Sequence, residues 1–301
     1  MSDRRDTTSE HGESPEILVG IMHSTREPWI SIVRDGQLPA WEKSKYQNFS
    51  VIYFFGRERQ ITSFIGSLIE KYRWRRFPYT RHLVQFLLWI AFKPWSRFVP
   101  SAVLADESQS NLRASGLKVN FPDITATMRW KKLAFLEYFL NQTKCEYLII
   151  SNSSSILNFE PIVQFLEKFK AEDGTFLYAG LMNRYHKLSW RAGRGAKYRK
   201  THTYVSGSFT VLNRPSASLL LEGRGIYPVH SNDDLGMGRV FEKLGIQPIP
   251  MTSLSFESFD TLQAVSKEEL RRVGHFRLKS GPLISRNDIE IMHELTKKLY
   301  L

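Results

Sequence analysis

A chain of 301 residues with 42% hydrophobic residues is long enough for one large α/β domain or two small ones, with a sizeable core. Its single cysteine, Cys145, excludes an internal disulfide and a disulfide-stapled secreted scaffold, and it favours a reducing compartment such as the cytoplasm. The net charge of +12 indicates anionic partners: a nucleotide, phospholipid head groups or nucleic acid.

The N-terminal residues 1–14 are predicted to be a disordered tail. They are polar, and they lack the apolar core of a signal peptide or membrane anchor. Because no internal repeat or linker follows, residues 15–301 are predicted to form a single domain.

Two buried strands are predicted next. Residues 17–22 are apolar and end in the polar residues His23, Ser24 and Thr25, and residues 51–55 form a second apolar run. Short apolar runs with polar ends are typical of strands in the interior of a parallel sheet.

Residues 72–100 form a basic and aromatic insert that differs from an ordinary α/β connection. Residues 71–97 contain seven Lys or Arg and no acid, and residues 83–92 are apolar except for Gln85. The apolar stretch is too short to span a bilayer, so it suits either the membrane interface or a core helix with solvated basic ends. Arg beside Trp and Tyr also fits base stacking, but no nucleic-acid-binding module accompanies it, which makes nucleic acid the least favoured partner.

A helix is predicted at residues 127–142, with Lys131 and Lys132 pointing away from its apolar face. That face contains Met128, Phe135, Leu136 and Phe139. A third buried strand follows at residues 147–150 and ends in the polar run 151–155.

The remaining pattern alternates strands and helices: a helix at 159–170 opened by Asn158 and Pro161, strands at 176–180 and 204–212, a short helix from Pro215, and a last helix at 286–299. Such alternation predicts an α/β fold with a mainly parallel sheet flanked by helices. Ligands bind beyond the carboxyl ends of the strands in these sheets, so residues 23–25 and 151–155 are predicted to face a site.

Residues 184–200 form a second basic run, with seven Lys or Arg, no acid and two glycines. The run is predicted to be either a mobile loop that closes over an anionic ligand or a plain solvated loop. Trp190 and Tyr198 would stack on a sugar ring or nucleobase, or pack against the protein.

Two adjacent carboxylates, Asp233 and Asp234, lie where a loop passes into an amphipathic helix. That helix has an apolar stripe and a C-terminal stop, supplied by Val240, Phe241, Leu244 and Gly245. A carboxylate in this position is either a helix cap or a general base.

Several familiar constellations do not occur in the sequence. It has no GxxxxGK[ST] loop, no GxGxxG after a strand, no CxxC or HExxH spacing and no G-x-S-x-G elbow. Kinase, zinc-enzyme and hydrolase functions therefore have little support.

A series of segments across residues 16–250 resembles, in order, the inverting β-1,3-glycosyltransferases and Fringe-like enzymes of the GT-A fold. ILVGIMHST resembles the opening nucleotide-binding strand, Trp41 the end of the next helix, and VIYFFG the second strand. Asp123 and Lys131 match a D-x-Y-x-N-L-T-x-K segment, and YLIISNSSSILN takes the place of the D-x-D strand. YAG and YVSGSFTVLN resemble the Y-x-G and Y-x-x-G-x-x-Y-V-x-S segments, and SNDDLGMGRVFEKLGI matches E/D-D-V-x-x-G-x-x-x-x-x-L-G-I, Gly238 included.

The resemblance implies roles for individual residues. Asp234 would be the catalytic base, and Asp233 would orient it or bind the acceptor. The donor, a UDP-sugar in this family, would contact His23, Ser24, Thr25, Lys131, Asn152, Ser153, Ser154 and Gly207.

The sequence departs from the family pattern at the metal site. The family's D-x-D carboxylates bind a divalent cation, and carboxylate oxygen suits Mg²⁺ or Mn²⁺; here the aligned residues are Asn152, Ser153 and Ser154. Three interpretations follow: an enzyme without metal, in which Lys131 or the 184–200 run neutralises the diphosphate; a weak Mn²⁺ or Mg²⁺ site of Asn152, Ser154 and His275; or a protein that has lost catalysis.

The leading hypothesis is a hexosyl- or N-acetylhexosaminyl-transferase that uses a nucleotide-sugar and a glycan acceptor. If the insert rests on an anionic membrane, the enzyme would be peripheral on the inner face and the acceptor a lipid-linked glycan, as in surface polysaccharide assembly. The alternatives are a degenerate protein that binds nucleotide-sugar, glycan or a partner, and a glycosyltransferase that acts on nucleic acid.

Overall fold

The computed structural model describes most of the chain. The described residues are 15–44, 46–57, 90, 93–105, 115–123, 127–172, 175–188, 198–227, 233–279 and 286–301, with backbone only at 186–188 and 198–200. The predicted tail at 1–14, residues 72–89 and 91–92 of the predicted insert, Trp190 and the side chain of Tyr198 lie outside this set.

The centre of the fold is a mixed sheet of eight strands within the described residues, in the order β3-β4-β2-β1-β5-β8-β7-β9. These strands are β1 Ile17–Met22, β2 Phe49–Arg57, β3 Ala102–Ala105, β4 Gly116–Pro122, β5 Tyr147–Asn152, β7 Tyr178–Leu188, β8 Tyr198–Asn213 and β9 Ile249–Pro250. Strands β4, β2, β1 and β5 run parallel. Strand β3 is antiparallel to β4, and β8 is antiparallel to both β5 and β7, whereas β9 pairs in parallel with β7. A smaller sheet has the order β10-β11-β6, formed by β6 Ser155–Leu157, β10 Ser253–Phe256 and β11 His275–Leu278.

Helices flank the large sheet, which confirms the predicted α/β class. Their bounds are α1 Trp29–Ser31, a π-helix Ile32–Gln37, α2 Leu38–Glu42, α3 Met128–Gln142, α4 Phe159–Ala171, α5 Arg214–Glu222, α6 Asp233–Lys243, α7 Phe259–Gln263, α8 Lys267–Arg271 and α9 Asp288–Tyr300. None of the helices in these described ranges is both long and apolar enough to cross a membrane.

The central strands are buried on both faces, which explains their continuous apolar sequence. Successive side chains point to opposite faces, so Leu18 packs with Phe135 of α3 on one side while Val19 packs with Phe159 of α4 on the other. Each fully buried side chain of this kind contributes about 1.5–3 kcal/mol. The two layers fix the carboxyl ends of β1 and β5 at one edge.

The structure corrects the prediction that α3 has a single apolar face. Nine residues of α3 are buried, among them Arg129, Lys131 and Lys132. Both lysines are 2% exposed, because each has carboxylate partners that offset the cost of burying its charge.

The structure also corrects the loop prediction at both ends of the second basic run. Strand β7 continues to Leu188 and β8 begins at Tyr198, so residues 184–188 pair with residues 198–203. Helix α6 ends at Lys243, close to the predicted stop at Gly245, but Leu244 is outside the helix and 38% exposed. The strands β3, β4, β6, β9, β10 and β11 are additions to the predicted pattern.

Candidate functional site

The predicted site edge lies where β1, β5 and β8 meet. Met22 and Asn152, the last residues of β1 and β5, are partners in the register. Ser151 pairs with Phe209 of the antiparallel strand β8, and therefore Gly207, two residues earlier in β8, extends beyond the end of β5. The edge brings together three of the predicted segments, at His23, Asn152 and Gly207.

A buried ion pair lies on one side of this edge. Lys131 Nζ contacts Asp123 Oδ1, and their side chains are 3% and 6% exposed. These are the two residues of the D-x-Y-x-N-L-T-x-K resemblance, so the matched positions are partners in space. The expectation that Lys131 neutralises a ligand directly has to allow for this carboxylate, which already balances its charge.

His23 is buried beside this pair. It is 2% exposed, and neither ring nitrogen has a hydrogen-bond partner among the described residues. Burial is the main cause that lowers its pKa to about 4; Asp123 opposes and Lys131 reinforces the shift. The imidazole is therefore neutral at pH 7, with one donor and one acceptor. Ser24 and Thr25, next along the chain, are half-buried.

A second ionic cluster contains both predicted catalytic carboxylates. Lys132 Nζ lies 2.6 Å from Asp233 Oδ2 and 2.9 Å from Asp234 Oδ1. The side chains of Asp233 and Asp234 are 10% and 18% exposed. Asp234 is thus the more accessible carboxylate, and one cation serves two acids.

Because one lysine is shared by two carboxylates, the pKa values of Asp233 and Asp234 shift in opposite directions. Burial raises the pKa of Asp234, and the charge of Asp233 raises it further against the opposing effect of Lys132. Burial acts in the same direction on Asp233, but there the ion pair with Lys132 prevails and the pKa is lowered. The nearby carboxylates in turn raise the pKa of Lys132, which stays protonated despite its burial.

Two glycines leave the space that the close contacts of this cluster require. A Cβ atom on Gly207 would lie 2.1 Å from Asp234 Oδ1 and 2.7 Å from Lys132 Nζ. A Cβ atom on Gly238 of α6 would lie 2.4 Å from Cβ of Tyr204 on β8. Because a side chain at either position would collide with these atoms, α6 and β8 can approach this closely only with glycine there. Both glycines lie in segments that carry the sequence resemblance.

Two tyrosines frame the acids. Tyr227 donates its hydroxyl hydrogen to the backbone carbonyl of Asp233. Tyr178 accepts a hydrogen bond of 2.8 Å from the backbone N–H of Val205 and stacks on Phe241 of α6 at 4.2 Å. Tyr178 is the tyrosine of the Y-x-G resemblance, and its ring fixes the helix that starts with the two acids.

The segment that replaces the D-x-D motif is held by the protein itself. Asn152 Oδ1 accepts hydrogen bonds of 3.0 Å from Ser154 N and from Ser155 Oγ. Arg286 Nη2 donates to Ser154 Oγ at 3.1 Å, and Ser153 is 5% exposed. Neutral oxygens that are engaged in this way, next to a guanidinium, are poor ligands for a divalent cation.

His275 is fully buried with both ring nitrogens engaged. Nδ1 lies 2.6 Å from Ser253 Oγ and Nε2 lies 3.0 Å from Ser155 Oγ, and the ring stacks on Phe209. Burial, then the charge of Arg277, lower its pKa to about 3. A metal ion would have to displace a serine hydroxyl to reach it. Across the described part of the chain, no group of three or more His, Cys, Asp or Glu is arranged to hold a metal.

Sequence reasoning missed three residues of this edge. Lys132 is identified only by its partners more than a hundred positions later. Arg286 was treated as the start of a helix, although the helix begins at Asp288, and Tyr227 was not singled out. For Lys132, two adjacent lysines in an otherwise apolar helix were the available signal.

Comparisons with known proteins give no family for the chain. No known protein family and no curated protein matches it. Among solved structures, it is similar to a glycosyltransferase involved in the glycosylation of the major capsid of PBCV-1, with a TM-score of 0.39 and 9% identity over 93% of this chain and 99% of that one. It is also similar to an active-site mutant of LgtC, with a TM-score of 0.41 and 10% identity over 95% of this chain and 96% of that one. At TM-scores this low, neither likeness carries an argument about function.

Proposed function

We propose that this chain is a glycosyltransferase that moves a sugar from a nucleotide-sugar to a hydroxyl group with inversion, and that Asp234 is its general base. One observation carries the proposal. Asp234 is a partly accessible carboxylate of raised pKa at the carboxyl edge of the sheet, held by Lys132 at 2.9 Å. A raised pKa makes a carboxylate a stronger proton acceptor, and this position agrees with the role that the family resemblance implies.

In the proposed reaction, the acceptor oxygen attacks the anomeric carbon while Asp234 takes the proton from that oxygen. The bond between the anomeric carbon and the donor diphosphate breaks, and its electron pair leaves with the diphosphate. Because attack and departure are on opposite faces, the configuration inverts. Asp233 stays paired with Lys132. This pair fixes the position of the Lys132 ammonium group, which in turn holds Asp234.

The donor would bind along the edge formed by His23, Ser24, Thr25 and the 152–154 segment. His23 supports this part of the proposal, because both of its buried ring nitrogens are without partners among the described residues and a nucleotide offers donors and acceptors for them. A UDP-sugar as donor and a glycan as acceptor follow from the resemblance alone.

We further propose that the reaction does not use a divalent metal. The fold family implies Mn²⁺ or Mg²⁺, but Asn152, Ser154 and His275 do not fit it, because their oxygens and nitrogens are engaged and Arg286 adds a positive charge beside Ser154. The cations for the leaving diphosphate would come from the protein, and the basic run 184–200 is the proposed source, as an expectation from its sequence.

A non-catalytic protein that binds a nucleotide-sugar is the second candidate. It is favoured by the neutral Asn152-Ser153-Ser154 segment, which lacks the carboxylates that bind the metal in the resembled family. The acidic cluster favours the enzyme, because a binding protein has no need of a carboxylate with raised pKa.

The test combines a thermal-shift screen against UDP- and dTDP-sugars with a transfer assay on Asp234→Asn. We expect one donor to stabilise both proteins by the linkage of binding to stability, and transfer to fall by about 10²–10⁴-fold in the variant, the usual contribution of a general base. Asp260→Asn, at an exposed position of α7, is the matched control and should transfer normally. Undiminished transfer by Asp234→Asn would reject the base, and donor binding without transfer by the wild type would favour the second candidate.

A further inference from the structure

Two short segments outside the acidic edge expose large apolar side chains side by side. Trp95, in the 3-10 segment Lys93–Trp95, is 48% exposed, and Phe98 is 40% exposed. Their rings contact each other edge to face at 5.3 Å. Ile226, which follows the 3-10 segment Gly223–Gly225, is 38% exposed.

The two segments form one continuous surface. Arg224 Nε donates to the backbone carbonyl of Arg97 at 3.0 Å. A Cβ atom on Gly225 would lie 3.5 Å from Arg97 Nε, which is ordinary van der Waals contact. Residues 93–98 and 223–226 therefore form one surface, which we call the basic aromatic face. Grouped apolar side chains on a surface mark an interaction site more often than single ones do.

Positive charge surrounds these apolar side chains. Lys93 and Arg97 are exposed and Arg224 is half-buried, and residues 71–105 contain no Asp or Glu. The acid nearest to Arg224 in sequence, Glu222, accepts a hydrogen bond from Ser218 at 2.9 Å. The face therefore pairs exposed apolar groups with cations.

A buried cation lies beneath the face. Arg129 is 3% exposed and donates to the carbonyls of Ser96 and Arg224. Its guanidinium stacks on the ring of Tyr227 at 4.8 Å. Burial lowers its pKa to about 10, so it is charged at neutral pH and adds to the positive potential of the face.

We propose that the basic aromatic face docks on a membrane surface that contains anionic phospholipids. Trp95, Phe98 and Ile226 would enter the head-group region while the arginines and Lys93 attract the phosphates, the combination that binds interfacial segments. The aliphatic side chain of Ile226 favours lipid over nucleic acid, because hydrocarbon accepts it and base stacking does not use it.

The position of the face suggests what docking would achieve. Tyr227 follows Ile226 directly and donates to the carbonyl of Asp233, so the face adjoins the residue that frames the two acids. Docking would bring a lipid-linked acceptor towards Asp234. This consequence rests on the proposed transferase function, whereas the docking itself does not.

The test is flotation of the full chain with vesicles of phosphatidylcholine alone or mixed with phosphatidylglycerol, without donor or acceptor. We expect binding to the anionic vesicles only, and weaker binding as salt rises. Arg97→Gln should lower the partition coefficient by about fivefold, because one basic residue near an anionic surface contributes about 1 kcal/mol. Arg97→Gln combined with Phe98→Ser should lower it further. The hydrogen bond from Arg224 uses the backbone carbonyl of Arg97 and is retained.

Matched controls are available elsewhere on the surface. Phe176 is 41% exposed. Arg271 is exposed, and its backbone carbonyl accepts a hydrogen bond from Asn158, which the substitution retains. Phe176→Ser and Arg271→Gln should bind vesicles like the wild type, and all variants should unfold at the same temperature.

Three outcomes would overturn the docking proposal. The first is that the wild type binds neutral and anionic vesicles equally well. The second is that the double variant binds anionic vesicles as well as the wild type does. The third is that the wild type binds single-stranded RNA and the double variant loses this binding while its vesicle binding is retained. Transfer to a soluble acceptor should be unchanged in the double variant, so a failure of the transferase proposal would be seen separately.

Discussion

Two consecutive lysines of one helix have opposite relations to their partners. Lys131 faces a single carboxylate, Asp123, and both side chains are almost fully buried. Lys132 is shared between Asp233 and Asp234, and the second of these acids stays partly accessible. The Lys131 pair is balanced in charge, whereas the Lys132 cluster has an excess of one carboxylate.

The Lys131 pair is a structural ion pair, whereas the Lys132 cluster contains the carboxylate that we propose as the general base. In the balanced pair, each charge offsets the cost of burying the other. In the cluster with excess acid, burial and Asp233 together raise the pKa of Asp234. Raised pKa values that have a specific physical cause accumulate at functional sites, and this is why we propose the Lys132 cluster, rather than the Lys131 pair, as the reacting part of the site.

The largest expected effect comes from breaking the balanced pair. Lys131→Met leaves Asp123 buried without its cation and should lower the free energy of unfolding by about 3–5 kcal/mol, measured by urea denaturation. The control is Lys168→Met, which removes an exposed pair with Glu172 of 3.9 Å and should cost less than about 1 kcal/mol. The double variant Lys131→Met/Asp123→Leu should recover most of the loss; if it does not, the pair has a role beyond mutual neutralisation.

An intermediate effect distinguishes the two acids of the Lys132 cluster. The lowered pKa of Asp233 stabilises the fold above the unfolded carboxyl pKa, and this stability is lost as pH falls through the folded pKa. Asp233→Asn should therefore cost roughly 1–3 kcal/mol at pH 7, and the deficit should shrink below about pH 4.

Asp234→Asn should behave in the opposite way. Because the pKa of Asp234 is raised, its ionised form costs stability, and this cost disappears as pH falls through the folded pKa. The variant should be at least as stable as the wild type at pH 7, with an advantage that shrinks on acidification. Unfolding curves at several pH values measure both variants, and identical pH profiles would show that the two acids are equivalent.

The last prediction is that removing divalent cations has no effect on sugar transfer. In the proposed reaction, protein groups rather than a metal ion balance the charge of the site. Removing divalent cations with EDTA should therefore leave sugar transfer unchanged, and added Mn²⁺ should not increase it. The control is a metal-dependent transferase that is treated in parallel. Transfer that stops with EDTA and returns with Mn²⁺ would contradict the metal-free proposal.

Much of the fold was predictable because its signals are local. The buried runs at β1, β2 and β5 have the length and apolar character of interior strands, and α4 shows a clear apolar stripe. The strands β6 and β11 were missed since each has four residues or fewer, and their pairing joins parts of the chain more than a hundred residues apart. Charge along β7 and β8 concealed the hairpin, because solvated strands tolerate Arg and Lys.

The site was predictable as a set of segments but not as a set of contacts. Asp234, Gly207 and Gly238 were all identified from sequence, and the structure places them together. Lys132 was predicted to point away from the apolar face, because periodicity identifies apolar faces and cannot recognise a buried cation whose partners are distant in sequence. His275 had the opposite problem: its residue type suggests a ligand, while its two serine partners are evident only in the folded chain.

Arg286 also determines what an acidic residue at position 154 would do. Its guanidinium contacts Ser154 Oγ, pairs with Asp288 and lies over the ring of Trp29. An aspartate introduced at position 154 would meet this cation before any metal ion, and would form an internal salt bridge in place of a coordination site. Building a metal site at this edge would thus require simultaneous changes at positions 154 and 286, in two distant parts of the chain.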